Sequence, residues 1–348
     1  MKIFTYYIFI AIFLLAMASC KKDTIEFIPT DTVTLIEGDT TWDDNLASKN
    51  NLSTTILPPL SIEKLVNELQ AVPKLDTFIA EQGGSFVIPD NVTVTIPANV
   101  CSNYQNRPCT GKLNVEILVL RKKGDFIAFN LPTSSLNKQL ISGGVVMVKV
   151  RQNGQEVKLA NGKAIKVRYV MTEPDNQMQL FEGRVDGRFM FDWLPISSVG
   201  TGGVRSSLST WADSSQLRRG YDLVLDRFGL INCDKFSGDT TSFNNKFTVT
   251  LPEVFTNVNT SVYVAFKNMN SVLSLSGDAR TKAFIPLGRG LPVGRTATIV
   301  AMSYIRDKFY FAKQEVTIQS ALGTTGQTIR LTPIVTEKEE IKAILNSL

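Results

Sequence analysis

The sequence predicts a mainly β protein: two β-sandwich domains, the second immunoglobulin-like, with short helices towards the N- and C-terminal ends. Three observations lead there. Apolar and polar residues alternate over short segments such as Val92-Thr93-Val94-Thr95-Ile96, the pattern of a strand with one face buried. Turn formers punctuate these segments, among them Asn153-Gly154 and Asn161-Gly162. Helical spacing of apolar residues is confined to a stretch over 60–82 and another over 336–348.

Taken in order, residues 1–19 begin with Lys2, continue as an apolar run from Ile3 to Met17, and end in the small residues Ala18 and Ser19 before Cys20. Charge, apolar stretch and small residues in that order make a secretory signal. Leu15-Ala16-Met17-Ala18-Ser19-Cys20 resembles the lipobox of bacterial lipoprotein precursors, with Met17 departing from the preferred leucine. The resemblance implies cleavage before Cys20 and lipid on its thiol, and two or more acyl chains hold a protein firmly to a bilayer. The basic pair Lys21-Lys22 after the cysteine, with no Asp directly beside it, leans towards an outer membrane. Which face of that membrane the chain occupies is left open.

Residues 20–59 are rich in Thr, Asp and Asn without apolar periodicity and read as a tether. Ser61 is placed as a helix N-cap before Ile62, Leu65, Val66 and Leu69, and Leu75, Phe78 and Ile79 suggest a second short turn. Residues 83–194 form the first predicted sandwich. Its strands are expected around 86–88, 92–96, 113–120, 145–150, 157–159, 164–170 and 189–193. Gly83-Gly84, Ile88-Pro89-Asp90, Ile96-Pro97-Ala98-Asn99, Asn130-Leu131-Pro132-Thr133 and Gly143-Gly144 together resemble the β-sandwich domain shared by ankyrins, netrin receptors and zonula occludens proteins. That likeness covers roughly residues 83–170 and implies a structural or interaction domain. The self-cleavage of some members needs a His-Phe-Ser site and does not carry over.

Residues 195–220 are rich in Ser and Gly and read as a connection between domains. The second sandwich is predicted over 221–335, with strands near 221–225, 246–251, 261–266, 282–286, 296–302, 309–312 and 315–318. Thr336 with Glu339 three residues on forms a capping box for a last helix over 336–348, whose Ile341, Ile344, Leu345 and Leu348 share one face. Docking on the second sandwich is the expected use of that face.

The composition narrows the chemistry. The chain holds no histidine, which removes imidazole bases and nearly all zinc, copper and non-haem iron sites. Its net charge of +5 is spread along the sequence, so no nucleic-acid surface is expected. No cofactor and no metal are called for. Cys101 and Cys109 are close enough in sequence to form a disulfide outside the cytoplasm, with two free thiols as the competing state, and Cys233 reads as a buried inert thiol.

Catalytic patterns are sparse. Ser61 with Lys64 and Ser135 with Lys138 match the Ser-x-x-Lys spacing of penicillin-binding enzymes, but the partner motifs are missing. Glu182, Asp186, Asp192, Asp213, Asp222, Asp226 and Asp234 are the carboxyls from which a glycosidase pair would have to come. Asp234 and Asp239 are considered for calcium and lack an EF-hand spacing. Tyr104, at the tip of the Cys101–Cys109 loop, and Trp211, in a polar stretch, are the aromatics placed to contact a ligand or partner, while Trp193 reads as core. The function expected is a non-enzymatic, lipid-anchored envelope protein that binds a glycan or a protein. A structural accessory subunit of an outer-membrane complex is the alternative, and a histidine-free carboxylate hydrolase ranks behind both.

Overall fold

The computed structural model describes residues 41–43, 61–136, 138–186, 190–196, 205–215, 217–238, 243–244, 246–286, 290–321 and 326–348. The predicted signal sequence, Cys20, residues 197–204 of the Ser- and Gly-rich stretch and Asp239 lie outside them, as does the predicted tether apart from Thr41–Asp43.

The structure is mainly β. The first half contributes α1 (Ser61–Leu69), β1 (Lys74–Ile79), β2 (Gly84–Ile88), β3 (Val92–Ile96), β4 (Lys112–Leu120), α2 (Lys123–Ala128), β5 (Lys138–Gln152), β6 (Ile165–Val170), β7 (Gln179–Asp186), β8 (Met190–Pro195), β9 (Ser207–Ala212), β10 (Arg219–Leu225) and β11 (Gly229–Phe236). Two sheets arise from these. The first runs β1-β4-β5-β11-β7-β8, and the second runs β9-β10-β6-β3-β2. Alternation decides which face each strand buries. In β3, Val92, Val94 and Ile96 point inward. In β6, Ile165, Val167 and Tyr169 do the same, while Lys166 and Arg168 face solvent. The inward rows meet Val115, Ile117, Val146 and Val148 of the first sheet to make one core. Asn153 and Gly154 both take positive φ, 50° and 80°, and turn the chain out of β5 as the sequence predicts.

The expected domain boundary moves. β9 pairs with β10 and β10 with β6, while β11 pairs with β5 and β7. Residues 207–236 therefore belong to the first sandwich, and only part of 195–220 connects anything. Polar composition suggested a linker because β9 carries Ser207, Ser209 and Thr210 on an exposed edge.

The second half contributes β12 (Thr248–Thr250), β13 (Thr260–Phe266), β14 (Val272–Asp278), β15 (Ala283–Pro286), β16 (Thr296–Ile305), β17 (Lys308–Thr317), β18 (Thr328–Arg330), β19 (Ile334–Val335) and α3 (Lys338–Asn346). These eight strands join one sheet, β18-β12-β15-β14-β13-β16-β17-β19, and Phe243–Asn244 pairs apart from it with Leu291–Pro292. One face of this third sheet holds a core of its own around Phe247, Val262, Val264, Phe266, Phe284 and Ile299.

The opposite face of the third sheet meets the first sandwich. Tyr263, Val300 and Met302 share a core with Leu118, Leu120, Val145, Phe181 and Trp193 of the first sheet. The helices fill the space between: Leu65 and Leu69 from α1, Phe126 and Ile127 from α2, Ile341 and Leu345 from α3. The last helix thus docks between both halves, not on the second alone. Gly124 marks the closest approach, since a Cβ there would lie 2.1 Å from the Leu345 carbonyl oxygen. Polar contacts stitch the same seam. Asn270 donates from Nδ2 to the carbonyls of Arg121 (2.9 Å) and Ser142 (2.8 Å), and its own carbonyl accepts from Ser142 N–H. Thr133 Oγ1 accepts from Val272 N–H at 2.8 Å, and Tyr263 donates to Asn130 at 2.7 Å. The described residues accordingly form one compact unit.

Three local expectations differ. Leu75, Phe78 and Ile79 sit on the edge strand β1, not in a helical turn, and only Phe78 of the three is buried. The last helix is capped by Glu337 without a side-chain bond, and Thr336 donates instead to the Ile334 carbonyl. Trp42 packs on Phe284 at 5.4 Å, and Asn257 exchanges bonds with both backbone groups of Asp43 (2.9 and 3.0 Å). This part of the predicted tether lies against the third sheet.

Candidate functional site

The outward face of the second sheet is open to solvent and carries a fixed group of side chains. On β6 the alternation turns Arg168 outward, and on the neighbouring β10 it does the same for Asp222, which pairs directly with Arg168 across the strands. The guanidinium donates from Nε to Asp222 Oδ1 at 2.7 Å and from Nη2 to Oδ2 at 2.6 Å, a two-point fork. The bond from Arg168 to Asp222 raises the guanidinium's pKa above its ordinary value.

Trp211 on β9 stands opposite Gly220. Gly220 has no side chain, and a Cβ there would meet the Tyr169 carbonyl oxygen at 1.9 Å. The indole uses that opening to reach over β10 and donate from Nε1 to Tyr169 O at 3.2 Å. Arg168 lies over its ring, 4.6 Å from the centroid. Trp211, Arg168 and Asp222 thus hold one another on three adjacent strands. The arrangement offers an aromatic surface beside a planar acceptor–donor pair.

Tyr104 is not part of this group. It is 66% exposed on a loop pinned by Asn103, whose side chain accepts from Gln105 N–H (3.0 Å) and Arg107 N–H (2.9 Å). The loop leaves Cys101–Ser102, paired with Lys158–Leu159 just before β6 begins, whereas Trp211 is level with Val170 at the end of β6. A six-residue strand separates them, roughly 17 Å at the usual rise.

Each described carboxyl considered for hydrolysis has a structural partner. Glu182 and Asp226 are bridged by Arg227, at 2.6 and 2.8 Å. Asp192 accepts from the N–H groups of Leu136 and Trp193, and Asp213 from Ser215 and Arg218. Asp234 is wholly buried and accepts from Asn232 at 2.6 Å, and burial raises its pKa well above the carboxylate range. The side chain of Asp186 lies outside the described part. Ser135 is wholly buried, and Lys138 places its ammonium 5.6 Å from the centre of the Phe236 ring. Trp193 is core, as expected. Among the described residues no three metal-binding side chains converge.

Cys101 and Cys109 are free buried thiols in this structure, as is Cys233. A shallow groove of about 260 Å³ opens on the first sheet between Leu75, Glu116, Lys149 and Arg151, its floor crossed by the Arg151–Glu116 ion pair at 2.8 Å.

Arg168 was not singled out from the sequence, because its contact with Trp211 crosses an intervening strand and 43 positions of chain. Its outward place in an alternating strand was the available signal. No protein-family model matches this chain, and no curated protein or solved structure is significantly similar to it.

Proposed function

We propose that this chain is a lipid-anchored envelope protein, held by Cys20 in an outer membrane, that binds a glycan on the outward face of its second sheet. One observation carries the reading: Trp211 is held beside the Arg168–Asp222 fork on an open sheet surface. Sugar rings have an apolar C–H face that stacks on an aromatic plane, and hydroxyls that donate to a carboxylate and accept from a guanidinium. Preorganised groups lose little entropy on binding, and these three already restrain one another. The role proposed is binding without catalysis: Glu182, Asp192, Asp213, Asp222 and Asp226 are each engaged in an ion pair or a backbone bond.

Affinity electrophoresis through gels cast with single envelope and plant polysaccharides tests this. The native chain is expected to be retarded by at least one polysaccharide, and Trp211→Ala to run unretarded while keeping the native circular dichroism spectrum and a cooperative thermal transition. A native chain that no gel retards overturns the glycan reading. Metabolic labelling with a radiolabelled fatty acid tests the anchor separately: label in the native chain and none in Cys20→Ala is the expected result.

A further inference from the structure

The Cys101–Cys109 pair goes beyond the glycan face and is independent of it. Asn103 N–H donates to Arg107 O at 3.0 Å, and Cys109 N–H donates to Cys101 O at 3.0 Å. These two bonds bracket the bridge between Ser102 and Pro108, making a short antiparallel ladder. Pro108 occupies the position where no N–H is needed, so its missing donor costs nothing. One step outward along the ladder, Cys101 and Cys109 face each other directly. Facing residues joined by a backbone bond have Cα atoms about 5.5 Å apart, inside the span of about 4.4–6.8 Å that a disulfide takes. Their side chains leave the ladder on the same side, and both enter the core of the first sandwich at 3% and 4% exposure. Burial, with the neighbouring Cys109, pushes the Cys101 thiol up to about 12.

We propose that Cys101 and Cys109 are an oxidisable pair, closed to a cross-strand disulfide by a small-molecule disulfide, and that closure locks the loop that presents Tyr104. The step balances with oxidised glutathione as oxidant. One cysteine thiolate attacks a glutathione sulfur, forming a mixed disulfide and releasing one glutathione thiolate. The second cysteine thiolate then attacks the protein sulfur, forms the Cys101–Cys109 bond and releases the other. The protein gives up two protons and two electrons, and one oxidised glutathione becomes two reduced molecules. Burial keeps both thiols protonated in the folded state, so closure is fast during folding and slow afterwards. Cys233, buried beside Asp234 on β11, stays out of the exchange.

The test refolds the full chain from urea in a glutathione redox buffer, then alkylates it in urea with and without prior reduction and maps the label by mass spectrometry. Cys101 and Cys109 are expected to take label only after reduction, and Cys233 with or without it. Closing a nine-residue loop is expected to raise the thermal midpoint by about 4 °C over the reduced chain. That shift should be absent in Cys101→Ser/Cys109→Ser, and amide exchange over 103–107 should slow several-fold on oxidation. Label on both cysteines without reduction, or either one bonded to Cys233, overturns the proposal. The label map needs no variant, so it stands even if the double serine chain folds poorly.

Discussion

Replacing Gly124 by alanine probes the seam between the two halves. The new Cβ would stand 2.1 Å from the Leu345 carbonyl oxygen and 2.4 Å from its carbon. Carbon–oxygen contacts settle near 3.3 Å or more, so the last turn of α3 must retreat by about 1 Å. Overpacking against backbone belongs at the upper end of the usual range, about 3 kcal/mol. Alanine returns about 1 kcal/mol as the better helix former. The net expectation is a loss of about 2 kcal/mol. The loss reaches roughly 3–6 kcal/mol if Ile341 and Leu345, 0% and 3% exposed, leave the core altogether. With an unfolding entropy scaled to a domain of this size, 2 kcal/mol lowers the thermal midpoint by about 3 °C. Urea unfolding followed by circular dichroism and tryptophan fluorescence measures the change, and amide exchange locates it. Protection should fall across Lys338–Asn346 and hold in β6 and β10. A variant within about 0.5 kcal/mol of the native chain would show that α3 does not press on α2, and the shared core would lose its keystone.

Further outcomes follow from single residues. Burial raises Asp234 in the folded state, so the unfolded chain ionises first, near its ordinary value of 3.8. Stability then falls as pH rises from about 4 to the folded value, and Asp234→Asn should match the native chain near pH 3.5 and exceed it at pH 7 in urea midpoints. Asp175 runs the other way: its bond from Lys235 at 2.6 Å holds its pKa below 3.8. Its contribution is present above pH 4 and lost as pH falls through the folded value. Asp175→Asn should cost about 0.5–1 kcal/mol at pH 7 and nothing at pH 2, by the same titration. Trp42→Ala removes the ring that covers Phe284 and should cost about 1–3 kcal/mol in thermal unfolding, which ties residues 41–43 to the fold.

Alternation made β3 and β6 legible, because each has one face in a core and one towards solvent. By contrast, β4 and β5 read as near-continuous apolar runs because their central residues bury both faces, one in each core. Asn153-Gly154 was legible because its chemistry is local. What could not be read was pairing. Residues 207–236 looked like a linker and a new domain, since nothing in a strand states which neighbour it joins; β10 lies beside β6, some fifty positions earlier. The helical spacing of Leu75, Phe78 and Ile79 misled because an edge strand with two exposed apolar side chains lacks a clean period of two. The six-residue α2 was too short to show a period and is held by Asp125, which accepts from the N–H groups of Arg121 and Lys122. Trp211 and Asp222 were named for different reasons, and only the sheet brings them to Arg168.

The shared core also sets a timetable for making the molecule. It draws on Leu65 and Leu120 early in the chain and on Ile341 and Leu345 near its end. Roughly 225 residues separate Leu120 from Leu345, about 10–45 seconds of ribosomal synthesis. During that interval the first sandwich can complete its inner core, but the apolar row on its back stays uncovered. A nascent chain in this state calls for a holdase. One cut short before β13 lacks the sheet that hides that row, and so carries a lasting mark for proteolysis.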